Sequence, residues 1–159
     1  MIRLARQNDF ESITKLYENA RIFMAKSGNP NQWGRVHPPL SMLKKDIEEK
    51  QLYVYENKNE IYGVFMFKIG EDSTYHYIEG SWIDSSLYGV IHRVASSGKE
   101  KAVLDKIVQY CFEKTHHLRI DTHEDNKVMQ NALKRNGFEK CGIIYLDNGD
   151  PRIAYEKVR

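Results

Sequence analysis

Cysteine is scarce in this 159-residue chain, with Cys111 and Cys141 the only two. Two thiols are too few for a disulfide framework, and they suit a reducing compartment. Long hydrophobic runs are absent too: no stretch approaches the ~20 apolar residues of a membrane span. The opening Met1–Arg6 lacks the apolar core of a signal peptide. Neither sign of charge dominates, since 24 lysines and arginines face 22 acids for a formal net charge of +2. That balance gives no electrostatic case for nucleic acid. Repeats, low-complexity tracts and linkers are missing as well. What is left is a chain with 41% hydrophobic and 29% charged residues, the make-up of an ordinary globular protein. These features predict one domain over 1–159, cytoplasmic, with no membrane or nucleic-acid partner.

Alternation over Ile2–Ala5 predicts a first strand. Asn8 or Asp9 can cap a helix, with Glu11 reaching back in a capping box, and Ile13, Leu16, Tyr17, Ala20, Phe23 and Met24 keep its apolar stripe. Ser27–Pro30 ends it. The turn-rich stretch from Ser27 to Pro39 carries Trp33, Arg35, Val36 and His37; loops of this length are often functional, and Trp33 with His37 either lines a substrate mouth or pins the loop to the core. Ser41 is expected to cap a short helix to about Lys50. Gln51–Glu56 and Ile61–Ile69, separated by Asn57–Glu60, read as a hairpin, and Thr74–Asp84 as a further strand. Leu118–Thr122 is a short strand, Asp125-Asn126 caps a helix that Asn136-Gly137 stops, and Phe138–Leu146 and Arg152–Val158 are the final strands. The order implies an α/β mixed sheet with helices on both faces.

The stretch Val90–Val103 organises the rest. A β-branched run breaks at Ser96-Ser97-Gly98 and resumes at helical spacing through Val103, Leu104, Ile107, Val108 and Cys111. A strand, a small-residue turn and a helix start present free backbone N–H groups and partial positive charge, which suits a phosphate. An ordinary strand-to-helix turn is the alternative.

Four pieces give the chain a resemblance, over nearly its whole length, to the GNAT superfamily of acyl-CoA-dependent N-acyltransferases. They are Ile2–Ala5 with Asp9, the hairpin strand through Gly63–Met66, the turn Ser97–Ala102, and Asp125-Asn126 followed by Asn136-Gly137-Phe138. The resemblance implies a mostly antiparallel sheet of six to seven strands with about four helices. It implies an N-acetyltransferase in which acetyl-CoA is co-substrate, no metal takes part, and a primary amine of a small molecule or peptide attacks directly; a homodimer is left open. A backbone N–H near Val94 would stabilise the oxyanion, and the pyrophosphate would lie on Ser96, Ser97, Gly98, Lys99, Lys101 and Ala102, with Asn126 near the pantetheine arm. Two positions depart from the family pattern. Glu100 stands where its loop has a first glycine, and Leu133 where many members carry a tyrosine acid. These departures keep a non-catalytic acyl-CoA-binding domain as the alternative.

An ammonium must lose a proton before it attacks, so a base is needed. Glu79, expected on the strand before the central one, and His92, on the central strand itself, are the candidates; each also has an ordinary structural role open to it. Strict alternation allows only one of His92 and Arg93 to face the acceptor. Tyr145 is the candidate replacement acid. His116, His117 and His123 near Asp121 and Asp125 show no recognised ligand spacing, and no metal site is expected.

Overall fold

The computed structural model describes residues 1–159. Strand β1 (Ile2–Leu4) leads through one 3-10 turn into helix α1 (Phe10–Lys26), whose Ile13, Leu16, Tyr17 and Ala20 are buried as the stripe requires. Asp9, rather than Glu11, closes the helix entry. Its carboxylate accepts from the Arg6 N–H at 2.8 Å and from both arms of Arg3 at 2.8 and 3.0 Å. Helix α2 (Leu40–Glu48) starts directly after Pro39, ahead of the expected Ser41 cap, and buries Leu43, Asp46 and Ile47. The hairpin of β2 (Leu52–Asn57) and β3 (Glu60–Ile69) turns through Lys58 and Asn59, both at positive φ, the pair of left-handed residues a tight hairpin needs.

Expectation and structure part at Thr74–Asp84. Only β4 (Glu79–Gly80) is extended there, while Ser73–Tyr75 forms a 3-10 turn. The aromatic residues that suggested a strand are used instead to cover a small core: Tyr75 is buried with Tyr88, Val90, Ile144 and Ala154, and the Trp82 indole N–H donates to the Tyr75 carbonyl at 2.9 Å. The chain continues as β5 (Gly89–Ser96), α3 (Val103–Thr115), β6 (His117–Thr122), α4 (Lys127–Arg135), β7 (Glu139–Tyr145) and β8 (Pro151–Val158).

All eight strands join one sheet in the order β1-β2-β3-β5-β6-β8-β7-β4, one strand more than the upper expectation, with four α-helices. Every pairing is antiparallel except β5 with β6. One face packs on α3 and α4 through Phe65, Ile91, Ile107, Cys111, Leu118 and Leu133; the other packs on α1 and α2 through Ile13, Leu16, Leu43, Leu52 and Val64. No helix is long and apolar enough to cross a membrane.

Candidate active site

The parallel pair is short. β5 and β6 register only at Gly89 with Leu118 and Val90 with Arg119, and beyond Val90 they part. The edge of β5 facing the gap therefore keeps backbone groups with no strand to bond, a template on which an extended ligand can lie. Immediately past the split, Arg93 sits at φ 53°, and the register with β3 slips between Val64 and Met66. A left-handed arginine is a costly conformation, of order 1–3 kcal/mol. Two helices hold it: the Tyr17 hydroxyl of α1 donates to the Arg93 carbonyl at 2.6 Å, and Asp46 of α2 takes the guanidinium in two bonds of 2.8 and 3.0 Å.

This bulge overturns the expectation that only one of His92 and Arg93 faces the acceptor. Alternation fails at a bulge, and both side chains, together with Val94, line a single cleft of about 950 Å³. His92 lies between two carboxylates. Its Nε2 is 2.6 Å from Asp72 Oδ2 and its Nδ1 is 3.7 Å from Asp121 Oδ1. A carboxylate only accepts, so the close contact puts a proton on Nε2, while Nδ1 makes no hydrogen bond within the fold. Burial works against ionising Asp72, but the hydrogen bond from His92 and two donors from Thr74 outweigh it and hold the carboxyl well below its usual range. Asp121 is oriented by the Tyr75 hydroxyl at 2.6 Å. Burial first, then Asp121, pushes that phenol well above its ordinary value.

The loop between α1 and α2 forms the facing wall. Trp33 packs edge-on to Tyr17 with centroids 5.6 Å apart and also lines the cleft, so the two readings of this residue coincide. His37 lies beside it; burial and the nearby Arg93, Arg152 and Arg21 lower its basicity.

On the other side of the gap stands the turn before α3. Gly63 of β3 lets that helix start close in, because a Cβ there would meet Val103 Cγ1 at 2.6 Å. The hydroxyls of Ser96 and Ser97 accept from the N–H groups of Gly98 and Lys99, each at 3.2 Å. The N–H groups from Glu100 to Asp105 have no acceptor in the fold, and Ala102 at φ 60° turns the chain into the helix. These orphan donors fit an anion such as a pyrophosphate. Glu100 does not confront it unmatched. Its carboxylate takes Lys106 Nζ at 2.9 Å and Asn57 Nδ2 at 3.1 Å, and the Tyr55 hydroxyl, Lys106 and Asn57 lower it to about 2. Lys99 pairs with Glu60 at 3.4 Å, so the lysine matched to Glu100 is Lys106.

Other predicted residues fall elsewhere. Glu79 is separated from β5 by three strands, at the far edge of the sheet. There it accepts from the Tyr145 hydroxyl at 2.8 Å, and this bond raises the phenol's pKa. Neither residue lines the cleft. The reason is the collapse of the expected strand, which carries Glu79 past β8 instead of beside β5. Asn126 does line the cleft and caps α4, accepting from the Met129 N–H at 3.0 Å. Leu133 is core. His117 is buried against Glu156 at 2.6 Å, His123 lies 3.7 Å from Asp125, and His116 ends α3. Asp46, Asp72 and Tyr75 were missed, because each lies in a stretch that reads as solvated surface or strand.

No protein-family model and no curated protein sequence matches the chain. Solved structures do. A GNAT-family acetyltransferase from Streptococcus agalactiae 2603 is 30% identical, with a TM-score of 0.90 over 100% of this chain and 95% of its own. An aminoglycoside acetyltransferase solved with coenzyme A and kanamycin shares 16% identity and a TM-score of 0.67 over 100% and 94% of the two chains. The NatC complex bound to a Gag peptide and CoA contains a chain 13% identical, with a TM-score of 0.65 over 100% and 98%.

Proposed function

Because the chain belongs to the GNAT family of acetyltransferases, we propose that it moves an acetyl group from acetyl-CoA to a primary amine of a small molecule or peptide by direct attack. The observation that carries this reading is His92 at the cleft of the split sheet, its Nε2 held by Asp72 and its Nδ1 without a hydrogen bond in the fold. The incoming ammonium gives a proton to His92 Nδ1, with Asp72 holding the ring from behind and Asp121 beside the amine. The nitrogen then bonds to the acetyl carbon, the thioester C–S bond breaks, and the second proton shed by the nitrogen passes to the departing thiolate, giving amide and free CoA thiol. The backbone N–H near Val94, turned by the bulge, is suited to the oxyanion. The open edge of β5 suits the pantetheine arm, and the orphan N–H groups before α3 suit the pyrophosphate, with Ser96, Ser97, Gly98, Lys99, Lys101 and Ala102 forming that turn and Asn126 opposite. Glu79 and Tyr145 have no part in this mechanism.

Two relatives of the same fold are solved with CoA and with an amine-bearing partner, kanamycin or a peptide, which supports the cofactor and the kind of acceptor. Glu100 and Leu133 are the features that speak for a binder without turnover; the match with Lys106 answers Glu100, and Leu133, in the core, supplies no acid. The protein needs neither metal, nucleic acid nor membrane for this reaction, and the cytoplasm supplies its acetyl donor. Calorimetry with acetyl-CoA, followed by thiol release on adding a panel of amines, tests the proposal. Binding with amine-dependent release is the expected result. No acyl-CoA binding at high micromolar protein overturns it, and binding without release for every amine leaves the binder.

A further inference from the structure

Two guanidinium groups are buried in this fold, and they are treated differently. Arg119 bonds Glu156 through Nε at 2.9 Å and lies between the rings of Trp82 and Tyr88. Even the less buried Arg3 and Arg93 have carboxylate partners. Arg152 is 6% exposed and has none: it donates to the Pro151 carbonyl at 2.8 Å and to the Gln32 carbonyl at 3.3 Å, and it lines the acceptor cleft. A buried charge without a counter-ion is expensive. Burial does lower its pKa, although Asp121 and Asp150 favour the charged form from further off.

Gln32 adds a second donor whose direction can be deduced. Asn126 Oδ1 accepts from a backbone N–H, so its Nδ2 is the atom that donates to Gln32 Oε1 at 2.9 Å. Asn29 Nδ2 donates to the same oxygen at 2.9 Å. Gln32 Oε1 is thus saturated, and its Nε2, with no acceptor in the protein, is the end left for a ligand. Gln32 also lines the cleft. Along β8, Arg152 is two residues from Ala154, which registers with Asp121 on β6. Strand alternation puts Arg152 and Asp121 on one face, roughly 7 Å apart along the strand.

We propose that Arg152 and Gln32 Nε2 bind a carboxylate carried by the acceptor, so that the substrate is an amino acid or a similar small amine bearing an acid group. Its amine then lies toward Asp121 and His92 while its carboxylate supplies the counter-ion that Arg152 lacks. This inference rests on the transferase reading above and narrows its acceptor class.

Matched pairs differing only in the acid group test it: tyrosine and tyramine, phenylalanine and phenethylamine, lysine and cadaverine, with O-phosphoethanolamine and ethanolamine as the phosphate arm. The expected result is that kcat/KM favours a carboxylated member by about 30-fold or more, the effect of losing one partner of a buried charged pair. Arg152→Gln erases that preference. Gln32→Leu, on the exposed-sided loop, reduces it several-fold and serves as the second variant should Arg152→Gln not fold. Equal or better rates for the amines lacking an acid group overturn the inference, as does a preference confined to the phosphate arm. If no amine is acetylated the transferase reading fails on its own. Fluorescence of Trp33 titrated with the same pairs then still decides the carboxylate site: tighter binding of the acids, lost in Arg152→Gln, upholds it, and no difference overturns it.

Discussion

Two histidines in this molecule are each set against carboxylates 2.6 Å away, with opposite outcomes. His117 is closed on every side. Its Nε2 faces Glu156, its Nδ1 faces the Leu87 carbonyl at 3.1 Å, and Glu156 also takes Arg119 and the Ile83 N–H. Both ring nitrogens are engaged within the fold. His92 has one nitrogen secured by Asp72 and the other 3.7 Å short of Asp121. A group with every partner satisfied holds structure together; the same group with one valence open can accept a proton. The closed cluster also serves the open one, because it anchors the 72–88 segment that brings Asp72 and Tyr75 over His92.

The comparison is broken most severely at Glu156. Glu156→Ala leaves Arg119 and His117 buried without their carboxylate, and stability should fall by about 3–5 kcal/mol, read as a drop in the urea midpoint. Loss of activity should follow unfolding rather than precede it. Next, His92→Gln is expected to lower kcat by about 100-fold or more while the melting midpoint stays nearly constant. A large drop in stability with full kcat in the folded fraction would place His92 in the structural class with His117.

A milder effect is expected at Asp72. Its carboxyl is depressed in the folded state, so its contribution to stability is complete above the ordinary value of 3.8 and is lost as pH falls below it toward the folded value. Asp72→Asn should lose about 1–3 kcal/mol near neutrality and flatten the acid limb of stability against pH, as followed by circular dichroism. An unchanged acid limb would count against the His92 contact. The smallest effect belongs to Glu100. Glu100→Gln removes a negative charge from the turn before α3 and should tighten CoA binding by about two- to five-fold at low salt, measured by calorimetry. The gain should shrink as salt is added.

The elements with regular periodicity were legible in the sequence. The stripe from Ile13 to Ala20, the hairpin around Asn59 and the break at Ser96–Gly98 each state a local preference that the tertiary fold agrees with. Asn126 could be placed as a cap for the same reason. The site itself was half legible. His92 and Val94 follow from the central strand, but their joint exposure with Arg93 depends on a left-handed residue that is neither glycine nor asparagine. Nothing local favours that conformation at an arginine; Tyr17 and Asp46, about 76 and 47 residues away along the chain, impose it. Thr74–Asp84 failed for the opposite reason, since its alternating aromatics satisfy a strand pattern equally well when they fold over Val90 and Ala154. Asp46 sits among lysines in α2 and reads as a solvated charge until α2 is laid on β5.

The two-residue pairing of β5 with β6 has a mechanical consequence. It divides the sheet into two four-stranded plates, β1-β2-β3-β5 and β6-β8-β7-β4, joined along one short seam and by the core that α3 packs across both. The residues proposed for proton transfer and acid recognition are split across that seam, His92 and Arg93 on one plate and Asp121 and Arg152 on the other. An extended ligand laid in the gap, as proposed for the pantetheine arm, would bond the open edge of β5 between the two plates. A ligand bound there as proposed would touch both halves of the site at once.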